Sequence, residues 1–103
     1  MELTGRAVVG TVVSAVPLEG ARKPAYVLEI DFGPGGRMRS SAQIVDLYTP
    51  EDLTGRQVVA LVDLPPKRIA GVASECLVLG VATRDGVVLL RPERAVGDGA
   101  EIF

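Results

Sequence analysis

The chain has 103 residues, 48% of them hydrophobic and 23% charged, a composition that fits one soluble globular domain with a modest core and argues against disorder. A formal net charge of −2 and a sequence pI near 5.0 exclude an overall electrostatic grip on nucleic acid and leave room only for a local basic patch. There is no histidine, and the single Cys76 has no cysteine partner, so a histidine-based triad, a disulfide framework and a cysteine–histidine zinc site are all excluded.

Residues 1–103 are read as a single domain. The N-terminal Met-Glu-Leu-Thr-Gly-Arg lacks an apolar signal core and no run reaches transmembrane length, so a cytoplasmic protein with no membrane insertion is expected. The Val-rich stretch over residues 7–17 predicts a long strand, with Gly10 permitting a bend so that the strand serves two sides of a small barrel, and Pro17 closing it. After a loop over residues 18–24, Ala25 to Phe32 alternates cleanly. Tyr26, Leu28, Ile30 and Phe32 take one face, and Glu29 and Asp31 the other, which is the pattern of a half-buried antiparallel strand.

Gly33-Pro34-Gly35-Gly36 predicts a turn that closes a hairpin. Pairing Phe32 with Met38 and Ile30 with Ser40 keeps the apolar face inward. It sets Glu29 opposite Ser41 and Asp31 opposite Arg39, a surface pair worth at most ~1 kcal/mol. Pairing Phe32 with Arg37 would put arginines on the apolar face and is rejected. In residues 44–56, Ile44, Leu47 and Tyr48 have helical spacing. Thr49, then Pro50, Glu51 and Asp52, reads as an N-cap, a proline at the first helical position and acids in the first turn, with Gly55 ending the turn.

Val58 to Leu64 predicts a strand stopped by Pro65-Pro66. The stretch from Pro65 to Gly80 then organises the second half of the chain. Lys67 and Arg68 project from a constrained loop, Gly71 allows a left-handed residue, and Cys76 to Leu79 re-enters the core. Leu77 to Ala82 and Val87 to Leu90 flank the Asp85-Gly86 hairpin signal. The tail, with Pro92, Gly97 and Gly99, is mostly loop, with Ile102 and Phe103 able to dock. Five or six strands, one or two helical turns and no alternating strand–helix pattern predict an all-β fold. The best candidate is an OB-fold, a five-stranded antiparallel barrel with short helical insertions; an SH3-like barrel fits the helical insertion less well.

Catalytic chemistry finds no constellation. Cys76 within an apolar strand reads as a small buried hydrophobe. Glu51 and Asp52 read as helix N-terminal charge rather than metal ligands. The Gly33–Gly36 run lacks the lysine and hydroxyl of a phosphate loop. No catalytic residue, metal or cofactor is expected, and the chain is not read as an enzyme. What remains is basic: six of the 11 cationic residues fall in the groups Arg22-Lys23, Arg37 and Arg39, and Lys67-Arg68. Single-stranded nucleic acid crosses an OB-fold at its second and third strands and adjoining loops, where Arg39 and Ser41 would lie. Ser40, Ser41 and Gln43 supply hydroxyl and amide groups for bases or phosphates. With only four aromatic residues, stacking platforms are scarce.

Several motifs in order resemble the CsaA family of bacterial export-related chaperones, within the wider tRNA-binding domain family. They are Ala21-Arg22-Lys23-Pro24-Ala25-Tyr26, Ile30-Asp31-Phe32-Gly33, Ser40-Ser41-Ala42-Gln43-Ile44, Tyr48-Thr49-Pro50-Glu51, Pro65-Pro66-Lys67-Arg68-Ile69-Ala70-Gly71 and Ser74-Glu75-Cys76-Leu77-Val78-Leu79-Gly80. The resemblance spans about residues 9–102. It implies an OB-fold, a homodimer, tRNA binding, and an export-related chaperone role with unfolded or precursor polypeptides as partners. It implies an RNA surface at Lys23, Arg39, Ser40, Ser41, Gln43, Lys67, Arg68, Ser74 and Glu75. A chaperone that has lost RNA binding and a stand-alone tRNA-binding protein are the alternatives. At the entry to the first strand, Arg6 and Val8 stand where the resemblance implies an acidic and a basic residue, and only Met1 to Gly5 precede that entry, where it implies a short N-terminal helix.

Overall fold

A computed structural model describes residues 5–103; the expectations placed on Met1 to Thr4 lie outside the described residues. The strands are β1 (Arg6–Pro17), β2 (Tyr26–Asp31), β3 (Arg37–Ala42), β4 (Gln57–Val62), β5 (Lys67–Ile69), β6 (Val72–Ser74), β7 (Leu77–Val78), β8 (Gly80–Thr83) and β9 (Gly86–Leu89), with one short helix, α1 (Pro50–Leu53). Five of them form an antiparallel sheet in the order β3-β2-β1-β4-β7, while β5-β6 and β8-β9 form separate hairpins.

β1 does serve two sides. Arg6 to Thr11 pair with β4, and Thr11 to Pro17 pair with β2, the register shifting between Val12 and Ser14. This hand-over curls the sheet into an OB-like half-barrel around Val12, Leu28, Ile30, Phe32, Leu53 and Val58. The alternation predicted for β2 holds: Leu28, Ile30 and Phe32 are buried, and Tyr26 packs against the core from the same face.

The β2–β3 register differs from the expectation by two residues. Ile30 pairs with Met38, Glu29 with Arg39 and Asp31 with Arg37. The turn is tighter than predicted. Phe32 N–H donates to the Gly36 carbonyl at 2.9 Å across a three-residue 3-10 turn, with Gly36 at φ +80°. A two-residue slip preserves the inward face, so the core pattern alone does not distinguish the two registers. Arg39 is therefore not paired with Asp31. The nearest cross-strand ion pair is Arg37 to Glu29, at 3.8 Å.

The helical signal at Thr49 is a full capping box. Thr49 Oγ1 accepts from Asp52 N–H at 3.2 Å, and Asp52 Oδ2 accepts from Thr49 N–H at 2.9 Å. α1 covers one end of the barrel by burying Leu53 completely.

β4 ends at Val62, two residues short of the expected Leu64, because Asp63 sits at φ +61°. Lys67 and Arg68 stand on the first strand of the β5–β6 hairpin rather than on a loop. Ala70 at φ +48° and Gly71 at φ +82° make its turn. The predicted strand from Leu77 to Ala82 is two pieces, since the chain leaves the sheet after Leu79 N–H donates to the Val59 carbonyl. The tail runs beside the first half of β1, with hydrogen bonds between Gly99 or Ala100 and Val9 and between Ile102 and Ala7; the Ile102 and Phe103 side chains stay exposed. Arg6 ties this end together through Asp63 at 2.8 Å and Glu101 at 2.7 Å, contacts that hold its guanidinium pKa above the ordinary value. Among the described residues, no helix is long and apolar enough to cross a membrane.

Candidate nucleic-acid interface

A groove of about 1110 Å³ opens at one end of the barrel, between the β1–β2 loop, the end of β3 and the tip of the β5–β6 hairpin. Arg22 and Lys23 enter it from the loop, Ser41 and Gln43 from β3 and beyond, and Arg68 from the hairpin. No carboxylate is found among the described residues that line it. In a chain with net charge −2, this segregation makes a local positive patch of the kind that overall charge conceals. Arg22, Lys23 and Arg68 are exposed and enter no ion pair among the described residues, so their charge is not compensated locally. The Arg68 guanidinium donates to the Gly71 carbonyl at 3.0 Å, which holds the side chain across its own hairpin turn.

The groove is amphipathic. Ile44, Ile69, Leu77 and Val78 form its walls. Leu77 is 49% exposed, against the expectation that it re-enters the core. The reason is strand periodicity: Cys76 takes the inward position, and its successor must point outward. The Cys76 thiol donates weakly to the Arg39 carbonyl at 3.7 Å, and its pKa is pushed up to about 11, first by burial and then by the Glu75 charge. It is an inert core residue, as the sequence predicts.

The sequence-predicted residues separate into three groups. Lys23, Ser41, Gln43 and Arg68 meet in the groove. Arg39 and Lys67 are exposed on the neighbouring surfaces of β3 and β5 and do not line it. Arg39 lies opposite Glu29, so the outer face of β2–β3 alternates acids with bases and attracts a polyanion less than the groove does. The third group is structural in its visible contacts. Ser40 is fully buried, and its hydroxyl donates to the Ser41 carbonyl at 3.3 Å. Ser74 Oγ accepts from Ser41 N–H at 3.1 Å. Glu75 Oε1 accepts from Arg39 N–H at 3.0 Å, while Glu75 N–H donates to the Arg39 carbonyl at 2.8 Å. Arg22 is the residue absent from the predicted set; its place beside Lys23 in one basic pair was the available signal.

The putative tRNA binding domain family matches residues 7–101. Methionine–tRNA ligases are among the relatives: that of Methanococcoides burtonii is 35% identical over 92 residues, and that of Methanothrix thermoacetophila 36% over 94 residues. These matches cover 88% and 91% of this chain but only 13% and 14% of the ligases, so the chain spans about one seventh of the curated relatives' length. Among solved structures, chaperone CsaA from Bacillus anthracis str. Ames is 50% identical with a TM-score of 0.89, over 95% of this chain and 90% of that one. The CsaA chaperone protein from Picrophilus torridus is 40% identical with a TM-score of 0.89, over 95% and 91%. The domain match over nearly the whole length, together with these near-complete structural likenesses, shows that the chain belongs to the tRNA-binding domain family as a CsaA-like member.

Proposed function

We propose that the chain binds tRNA in the groove, with Arg22, Lys23 and Arg68 on phosphates and Ser41 and Gln43 on sugars or base edges, and with Arg39 and Lys67 extending the contact outside it. The observation that carries this reading is the meeting of three unpaired cations from two distant segments around a lining free of carboxylates, among the described residues. The reading is one of binding and not of catalysis. The few exposed aromatic residues favour recognition of RNA by shape and phosphate position over base stacking.

The same proposal gives the chain an export-related chaperone role in the cytoplasm, with unfolded or precursor polypeptides as second ligands; two of the structures it is similar to are named chaperones. The apolar walls of the groove, Leu77 above all, suit an unfolded segment. They also favour the second reading, a polypeptide-binding module without RNA affinity. We further propose a homodimer, supported by the exposed apolar pair Val81 and Val88 on the β8–β9 hairpin.

Two double variants test the RNA site by fluorescence anisotropy of labelled bulk tRNA at 50 and 200 mM salt. Arg22→Ala with Lys23→Ala, and Lys67→Ala with Arg68→Ala, should each weaken binding and flatten its salt dependence. Removing one cation from a phosphate lowers the log–log salt slope by about 0.7–0.9. Unchanged affinity and slope in both variants would remove the groove as the RNA site. Binding of an unfolded polypeptide by a protein that ignores tRNA would favour the second reading.

A further inference from the structure

The barrel seam between β3 and Ser74-Glu75, at the end of β6, is closed in part by side chains where a regular sheet would use backbone alone. Glu75 makes both hydrogen bonds that a strand partner would make to Arg39. Its N–H donates to the Arg39 carbonyl at 2.8 Å, and its carboxylate replaces the missing carbonyl by accepting Arg39 N–H at 3.0 Å. Ser74 makes one such bond to the next outward residue, its hydroxyl accepting Ser41 N–H at 3.1 Å. The seam thus fixes the edge of β3 from Arg39 to Ser41, and Ser41 is a lining residue of the basic groove.

A carboxylate next to a polyanion site has a cost. As a bare charge it repels phosphate, and removing it should tighten RNA binding. As a contact to RNA it could act only as an acceptor, through Oε2 to a ribose hydroxyl or base amine, since Oε1 is held by Arg39 N–H. We propose that Glu75 is a positioning residue of the RNA surface: it acts through the backbone of Arg39, holding β3 in register beside the groove, and does not touch the ligand. This inference rests on the groove being the RNA site. It makes a prediction opposite in sign to simple electrostatics, because loss of an anion should here weaken the binding of a polyanion.

The experiment compares wild type, Glu75→Ala and Glu75→Gln for tRNA anisotropy at several salt concentrations and for amide hydrogen exchange of Arg39 in the free protein. Glu75→Ala is expected to lose about tenfold in affinity, of the order of one charge-assisted hydrogen bond. Its salt slope should fall by about 0.7–0.9, since a displaced cation no longer releases its counterion. Its Arg39 amide should lose protection. Glu75→Gln keeps an acceptor oxygen and removes the charge, so affinity and protection should both return to the wild-type level or above.

Glu75→Ala binding as tightly as wild type, or more tightly, would overturn the inference. So would a loss in Glu75→Gln as large as in Glu75→Ala, which would place the carboxylate itself on RNA. If Glu75→Ala fails to fold by circular dichroism, Glu75→Gln decides alone: wild-type affinity supports positioning, and a tenfold loss overturns it. Failure of the wild type to bind tRNA at low salt would overturn the RNA reading and this inference with it, whereas wild-type binding unaffected by Glu75→Ala overturns this inference only.

Discussion

Gly10 offers a strict test of the packing that shapes the barrel. It lies where β1 passes from one partner to the other, opposite Val58, with Val12 opposite Ile30 two residues on. A Cβ placed there would lie 2.6 Å from Ile30 Cγ2 and 2.7 and 2.8 Å from Phe32 Cδ1 and Cε1. Both neighbours are enclosed, Ile30 at 0% and Phe32 at 2% exposure, so neither side chain can swing into solvent to make room. The backbone at Gly10 is not in the left-handed region, so the folded-state cost of Gly10→Ala is steric, opposed only by the lower entropy of the unfolded chain. Overpacking of this kind costs ~1–3 kcal/mol, a substantial part of the ~5–15 kcal/mol that holds a domain together. At about 4–8 °C per kcal/mol, the melting midpoint should fall by about 4–24 °C. Gly97→Ala is the control, since nothing lies within 4 Å of its Cβ and its φ is ordinary. That variant should stay within about 0.5 kcal/mol of wild type. Thermal and urea melts of both variants measure the difference. A Gly10→Ala midpoint within about 1 °C of wild type would refute the account of how Ile30 and Phe32 fill the bend.

Two further outcomes follow from local chemistry. The Cys76 thiol, held protonated to about 11 by burial, should react with iodoacetamide at pH 8 far more slowly in the native than in the urea-unfolded protein, and equal rates by mass spectrometry would contradict its burial. Because its folded pKa lies above the unfolded value near 8.5, the stability it contributes is complete below that pH and is lost as pH climbs toward about 11; Cys76→Ala should flatten that part of the pH–stability profile. The capping box holds the Asp52 carboxyl below its ordinary pKa, chiefly through the hydrogen bond from Thr49 N–H, so its contribution is present above about pH 4 and lost as pH falls through the lowered value. Thr49→Ala should cost about 1 kcal/mol at neutral pH, and an unchanged melt would remove the cap from the account.

The core strand was legible because Tyr26, Leu28, Ile30 and Phe32 carry a period of two that no other element imitates. Its pairing was legible only to within two residues. Gly33-Pro34-Gly35-Gly36 permits more than one turn, and the inward face is the same in either register. The Thr49–Asp52 cap was legible since both halves of the box lie within four residues. The hairpin under Lys67 and Arg68 was not, because its turn puts Ala70 at positive φ, where alanine gives no warning. The groove itself joins Lys23 to Arg68, residues brought together only by the curl of the sheet. Sequence named both cations but had no means to show that Arg39 stands apart from them. The tying of Ser74 and Glu75 to the β3 backbone was beyond reach, since a Ser-Glu pair carries no mark of the partner it seals.

Whether RNA occupies the acid-free groove is decided by titrating the isotope-labelled protein with tRNA and following its amide spectra. Shifts should concentrate at Gly20 to Lys23, Ser41 to Ile44 and Arg68 to Ala70, and shrink as salt is raised. Shifts concentrated instead around Arg6, Asp63 and Asp98, at a separate cavity of about 420 Å³ lined also by Phe32 and Gly99, would place the RNA elsewhere and refute the groove as its site.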